Sequence, residues 1–97
     1  MKNTKYNEST VADTEDVIVK PMVGTIRVSV LVDPVANATV SITNAQDPDA
    51  AGAKYSTIDW TKVGATPNFA VVDAPLTGVK IEASGATVTY QVTEFGD

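Results

Sequence analysis

Apolar and polar residues alternate with a period of two along most of this chain. The clearest run is "VGTIRVSVLV", residues 23–32. There Ile26, Val28, Val30 and Val32 share one face, and Thr25, Arg27, Ser29 and Leu31 the other. Period two with β-branched residues is the pattern of a half-buried strand. Asp33-Pro34 ends the run, because proline has no N–H to donate and suits a turn. A shorter strand, "DVIVK", precedes it and stops at Pro21, as an edge strand or a strand end does. Beyond the turn, "ATVSIT" places Val40 and Ile42 on one face. "TIDWTKV" places Ile58 with Trp60, and "NFAVVD" places Phe69 with Val71; these are read as core faces.

The segment "GVKIEASGATVTYQV" alternates, breaks once at Ser84-Gly85, and alternates again. A two-residue loop there predicts a hairpin with Ala83 opposite Ala86, Ile81 opposite Val88 and Val79 opposite Tyr90. Every apolar residue then meets an apolar one, and a one-residue slip would turn one set to the wrong face. Tyr90 is expected to be at least half-buried.

Two stretches lack a period. Residues 1–15 are polar and read as a flexible N-terminal arm that can be removed without loss of the fold. Lys2, Lys5 and Tyr6 are its candidates for holding a partner. "NAQDPDAAGAKYS" carries Asn, Asp, Pro and Gly, and reads as a loop. No helical pattern competes. About seven strands at this spacing predict an all-β fold. The expected architecture is a single antiparallel β-sandwich over residues 16–97, Ig-like or jelly-roll-like, with the arm over 1–15.

Composition narrows the chemistry. The chain of 97 residues is long enough for one domain with one two-layer core. It contains no cysteine, so disulfides and thiol nucleophiles are excluded. It contains no histidine, the side chain most used for proton transfer near neutral pH and the commonest metal ligand. Twelve acidic residues against seven basic ones give a net charge of -5. That balance disfavours nucleic acid and anionic membrane as partners. No apolar run is long enough to span a bilayer as a helix. The first residues lack a secretory h-region, so synthesis in a cytoplasm is expected. The sequons at Asn7 and Asn37 are accordingly read as coincidence.

Asn44, Asp47, Asp49 and Asp59 cluster in sequence, and hard cations want such oxygens. Their spacing matches no cation loop, and turns use the same residues, so no metal or other cofactor is assigned. No paired carboxylates, nucleophile elbow or phosphate loop stands out, so no catalytic residue is assigned and the chain reads as a non-enzyme. Trp60 and Phe69 read as core. With Tyr6 and Tyr55, Trp60 would otherwise be the material of a carbohydrate-stacking platform.

From about Val23 to Val92 the order of features resembles small β-sandwich structural proteins of tailed bacteriophages. The elements are "TIRVSVLVD", then "VSITNAQDPD", "STIDWTKVG", "APLTGVKIEA" and "TVTYQV". Lys80 stands where the fourth element of such proteins carries arginine. The resemblance implies a virion component that decorates or stabilises the head and binds other virion proteins, the major capsid protein first. A tail, neck or fibre piece is the alternative, as is a host-surface-binding module. Homo-oligomers are compatible with either.

Overall fold

A computed structural model of the chain describes residues 4–60, 68–73 and 76–96. Eight strands follow in chain order: β1 (Thr4–Val11), β2 (Asp16–Val19), β3 (Thr25–Asp33), β4 (Ala38–Thr43), β5 (Ser56–Thr57), β6 (Phe69–Asp73), β7 (Gly78–Ala83) and β8 (Val88–Gly96). They form two antiparallel four-stranded sheets, ordered β1-β8-β3-β6 and β2-β7-β4-β5. The pairs β1/β8, β2/β7, β3/β6 and β4/β5 are the successive rungs of one long ribbon folded back on itself. Winding that ribbon brings β3 beside β8 and β4 beside β7. This is jelly-roll order, an eight-stranded double sheet.

The core lies between the sheets. Val28, Val30, Val32, Val88 and Val92 from the first sheet meet Val40, Val79 and Ile81 from the second, all without solvent exposure. These are the residues that alternation assigns to inward faces. Tyr90 is buried among them. Ile58 and Trp60 are half-buried and pack against the same cluster, which agrees with a core role.

The lateral arrangement differs from expectation in several places. β7 and β8 do not form a hairpin: they lie in opposite sheets. Ile81 pairs with Val17 and Val40, while Val88 pairs with Val11. Alternation places Ile81 and Val88 on inward faces, but two inward faces can meet across a core as well as side by side. The turn's backbone groups go elsewhere. Ser84 N–H donates to the Asn37 carbonyl (2.9 Å) and Gly85 N–H to Asp13 Oδ1 (2.7 Å). Asn37 Nδ2 returns a bond to the Ser84 carbonyl (2.9 Å). Three links therefore cross between the sheets at this one end: 12–15, 34–37 and 84–87. They brace each other.

Residues 4–11 are not a mobile arm. They form β1, paired with β8 along its whole length. Val11 is part of the core, and the Ala83 carbonyl accepts the Thr14 N–H (3.0 Å). The domain boundary drawn at residue 16 thus moves back to β1. Polar sequence hid this strand because an edge strand with one wet face needs few apolar residues. The tryptophan strand contracts to Ser56–Thr57, and its expected end, 61–63, lies outside the described residues. On β6 the phase is reversed. Register with β3 sets Ala70 opposite Val30 and Val72 opposite Val28, so Phe69 and Val71 face outward. Finally, a bulge between Thr25 and Arg27 makes Ile26 the extra residue. Ile26 turns to solvent, 57% exposed.

Gly85 has a φ of +91°, and a Cβ there would stand 2.9 Å from Asn37 Nδ2. Gly85→Ala is expected to lower unfolding stability by about 1–3 kcal/mol through backbone strain and the lost brace. A urea titration checks it: an unchanged midpoint would mean that the 84–87 link tolerates a side chain.

Candidate functional site

Three features of the surface and core carry the chain's chemistry. The first is Glu94. On β8 the inward series Val88, Tyr90, Val92 runs one step further and ends on this carboxylate, 1% exposed. An isolated buried charge is costly, so its partners matter. Asn7 Nδ2 donates to Oε2 (2.9 Å), while Met22 N–H (2.7 Å) and Thr25 Oγ1 (3.2 Å) donate to Oε1. The bulge at Ile26 is what turns Thr25 inward to reach it. Asn7 Nδ2 also donates to the Val92 carbonyl (3.0 Å). One carboxylate thereby ties β1, the 20–24 link and the start of β3 to β8. All three partners are donors, matched to the acceptor oxygens of a carboxyl group. Buried and held by donors from three segments, Glu94 acts as a structural pin. Sequence reading missed it, although the period-two series on β8 points straight at it.

The second feature is the loop 44–55, which folds back over the outward face of the second sheet. Thr43 Oγ1 donates to the Lys54 carbonyl and accepts the Ala45 N–H (2.6 and 3.1 Å), closing the base of the loop. Tyr55 Oη donates to the Pro48 carbonyl (2.7 Å), and Lys80 Nζ sits 4.3 Å from its ring centre. Gly78 lets the loop come close: a Cβ there would stand 2.8 Å from Pro48 Cβ. The acidic residues are committed to the loop's own fold. Asp47 Oδ1 accepts the Asp49 N–H (3.0 Å), and Asp49 pairs with Lys20. Among the described residues no three acidic groups converge to hold a cation. Burial pushes the Tyr55 phenol above its ordinary value, and the charge of Asp49 adds to the effect. The bond to Asp49 likewise raises Lys20.

The third feature is the outward face of the β1-β8-β3-β6 sheet. Register places Thr4, Phe95, Arg27 and Asp73 in one row across it, and Tyr6, Thr93, Ser29 and Val71 in the next. Tyr6 (69%), Val71 (51%) and Phe95 are exposed, with Ile26 beside them at the bulge. Thr4, Ile26, Arg27, Phe95 and Gly96 line a shallow depression of about 340 Å³. Arg27 Nε bonds to Asp73 Oδ1 (3.1 Å) at the border.

The candidate partner-binding residues separate accordingly. Lys2 lies outside the described residues. Lys5 and Tyr6 are neighbours on β1 and so face opposite ways: Tyr6 joins the outward apolar strip, while Lys5 stands opposite Glu94. The aromatics do not form a carbohydrate platform. Tyr6 belongs to one outward face, Tyr55 to the other, and Trp60 packs against the core. Both sequon asparagines have hydrogen-bonding roles, Asn7 on Glu94 and Asn37 on Ser84.

Glu94→Ala strands three donors and is expected to cost about 2–4 kcal/mol, with Glu94→Gln intermediate because it keeps one acceptor. Denaturant unfolding of both variants checks the order; equal stability of wild type and Glu94→Ala would show that water replaces the carboxylate. The raised Tyr55 phenol makes a second prediction. The folded state holds this proton more tightly than the unfolded chain, so its contribution is intact below the ordinary tyrosine value of about 10 and is lost as pH rises beyond it. Tyr55→Phe should lessen the fall in unfolding midpoint between pH 9 and pH 11, at about 1 kcal/mol for the lost hydrogen bond at neutral pH.

Comparison with known proteins returns no match to this chain among family models, curated proteins or solved structures.

Proposed function

We propose that the chain is a non-enzymatic structural protein of a bacteriophage particle, decorating or stabilising the head through contacts with the major capsid protein. The observation that carries this reading is the outward strip of Tyr6, Ile26, Val71 and Phe95 on one sheet face. Singly exposed apolar residues are ordinary; here Tyr6, Phe95 and Ile26 lie near one another beside Arg27, with Val71 at the far end of the next row beyond Thr93 and Ser29, and such exposure on one sheet face supports a docking role. A body braced at its turns and pinned by Glu94 presents that strip rigidly, which suits a particle component. The order of sequence features resembling phage sandwich proteins supports the choice of partner. Jelly-roll order adds only analogy, since lectins and enzymes share it.

Particles purified from cells that carry the surrounding genes should contain the chain in a fixed ratio to the coat protein by mass spectrometry. Its presence in the lysate but not in particles would reject the reading. Within that system, Val71→Lys should reduce incorporation by about tenfold, the equivalent of about 1.4 kcal/mol, with an unchanged thermal midpoint.

A further inference from the structure

Among the described residues one non-glycine residue has a positive φ: Thr14, at +68°. The other left-handed positions are glycine, Gly24 and Gly85. A β-branched residue in that region is a backbone outlier, held there only by its surroundings. Thr14 is the third residue of the turn that joins β1 to β2, closed by the Glu15 N–H on the Ala12 carbonyl (3.0 Å). A positive φ at that place of a turn ordinarily calls for glycine or asparagine. The strand ahead of this turn has few anchors besides its ladder. Of the β1 side chains Val11 is buried and Asn7 half-buried, and the rest are exposed. We infer that the turn at Thr14 is a hinge for strand exchange: β1 leaves its own body and takes the same seat on β8 of a second copy, which returns its own β1 in kind.

The seat selects the occupant. Beside β8 it offers a ladder, two acceptors for one amide (the Val92 carbonyl and Glu94 Oε2) and a core site for one apolar side chain. β1 meets all three, with Asn7 on the acceptors and Val11 in the core. A second copy therefore brings a strand that already fits. Every contact of β1 with β8 is remade in the exchanged dimer, so the two states differ at the link. There residues 12–15 straighten, and Thr14 returns to the extended region that β-branched side chains favour. Strained short hinges invite exchange for this reason. Against that relief the turn loses three bonds: Glu15 N–H to the Ala12 carbonyl, Thr14 N–H to the Ala83 carbonyl (3.0 Å) and Gly85 N–H to Asp13 Oδ1 (2.7 Å). Residues 12–15 and Gly85 are exposed, so water takes up the groups they release. Departure of β1 removes Val11 from the core but leaves the valines of β3, β4, β7 and β8 between the sheets. Four extended residues span at most about 14 Å, so the two bodies meet at the end that carries the links 12–15, 34–37 and 84–87. The inference rests on β1, its link and its seat, and not on where the protein works.

The absence of cysteine makes the test clean. Thr10 of β1 and Thr89 of β8 are opposed and exposed. Opposed residues in an antiparallel pair have Cα atoms about 4.5–5.5 Å apart, within disulfide reach. In the full chain carrying both Thr10→Cys and Thr89→Cys, the disulfide stays within one chain in the closed monomer and joins two chains after exchange. The reduced variant is held overnight at about 1 mM just below its unfolding midpoint, cooled, diluted to about 10 μM and oxidised. Size exclusion and non-reducing electrophoresis should show a dimer of covalently joined chains. A sample never concentrated should give single chains. Thr14→Asn, added to the same variant, keeps the turn with a residue suited to positive φ. It should lower the yield of dimer about tenfold and raise the unfolding midpoint of the monomer. A chain that stays monomeric after this treatment overturns the inference. A dimer that falls apart into single chains on the non-reducing gel is association without exchange, and overturns it too. So does a Thr14→Asn variant that dimerises as well as its parent, since the hinge would then carry no strain. None of these results bears on incorporation into particles, which is measured separately.

Discussion

Two strips of inward β-branched side chains pressed together hold this protein. With no cysteine to cross-link the sheets, the contact of Val28, Val30, Val32, Val88 and Val92 with Val40, Val79 and Ile81 must offset the entropy of ordering the chain. Each such side chain is worth about 1.5–3 kcal/mol when fully buried. Stiff β-branched residues suit this role, since they fit a pleated surface with little rotamer freedom to lose. Everything else in the structure keeps those strips in register.

At one end that task falls to backbone exchange between links. The turn at Ser84-Gly85 uses groups from Asp13 and Asn37, so each crossing is held by another crossing distant in sequence. Toward the other end it falls to a buried carboxyl group. Glu94 occupies an inward position where alternation would put a fourth apolar side chain of β8, and it gathers donors from three separate segments. A buried carboxylate gives less net stability than a well-packed hydrophobe, but it accepts only directed partners. It therefore specifies where β1 and the 20–24 link attach.

These constraints leave the outer surfaces free to differ. The β2-β7-β4-β5 sheet is partly covered by its own loop, with Tyr55 between Lys80 and Pro48. On the opposite sheet, among the described residues, Tyr6, Val71 and Phe95 stay exposed. The bulge at Ile26 serves both sides of that sheet. It turns Thr25 inward to the carboxylate and puts an isoleucine on the outer face.

Alternation within each strand was legible from the sequence alone. It determined that the fold is all-β, that it has two layers, and that Val28, Val30, Val32, Val79, Ile81, Val88, Tyr90 and Val92 point inward, because pleat geometry makes side-chain direction a local property. It could not determine which strands lie side by side. That choice depends on hydrogen bonds between residues far apart in the chain, and inward faces that match as a hairpin match equally well across a core. The polar run of residues 4–11 became a strand only because β8 offered it a free edge. β6 took its phase from β3 and not from its own larger residues, and Glu94 became a pin only when three distant segments converged on it. The outward strip of Tyr6, Val71 and Phe95, drawn from three strands, likewise exists only once tertiary structure has ordered the sheet.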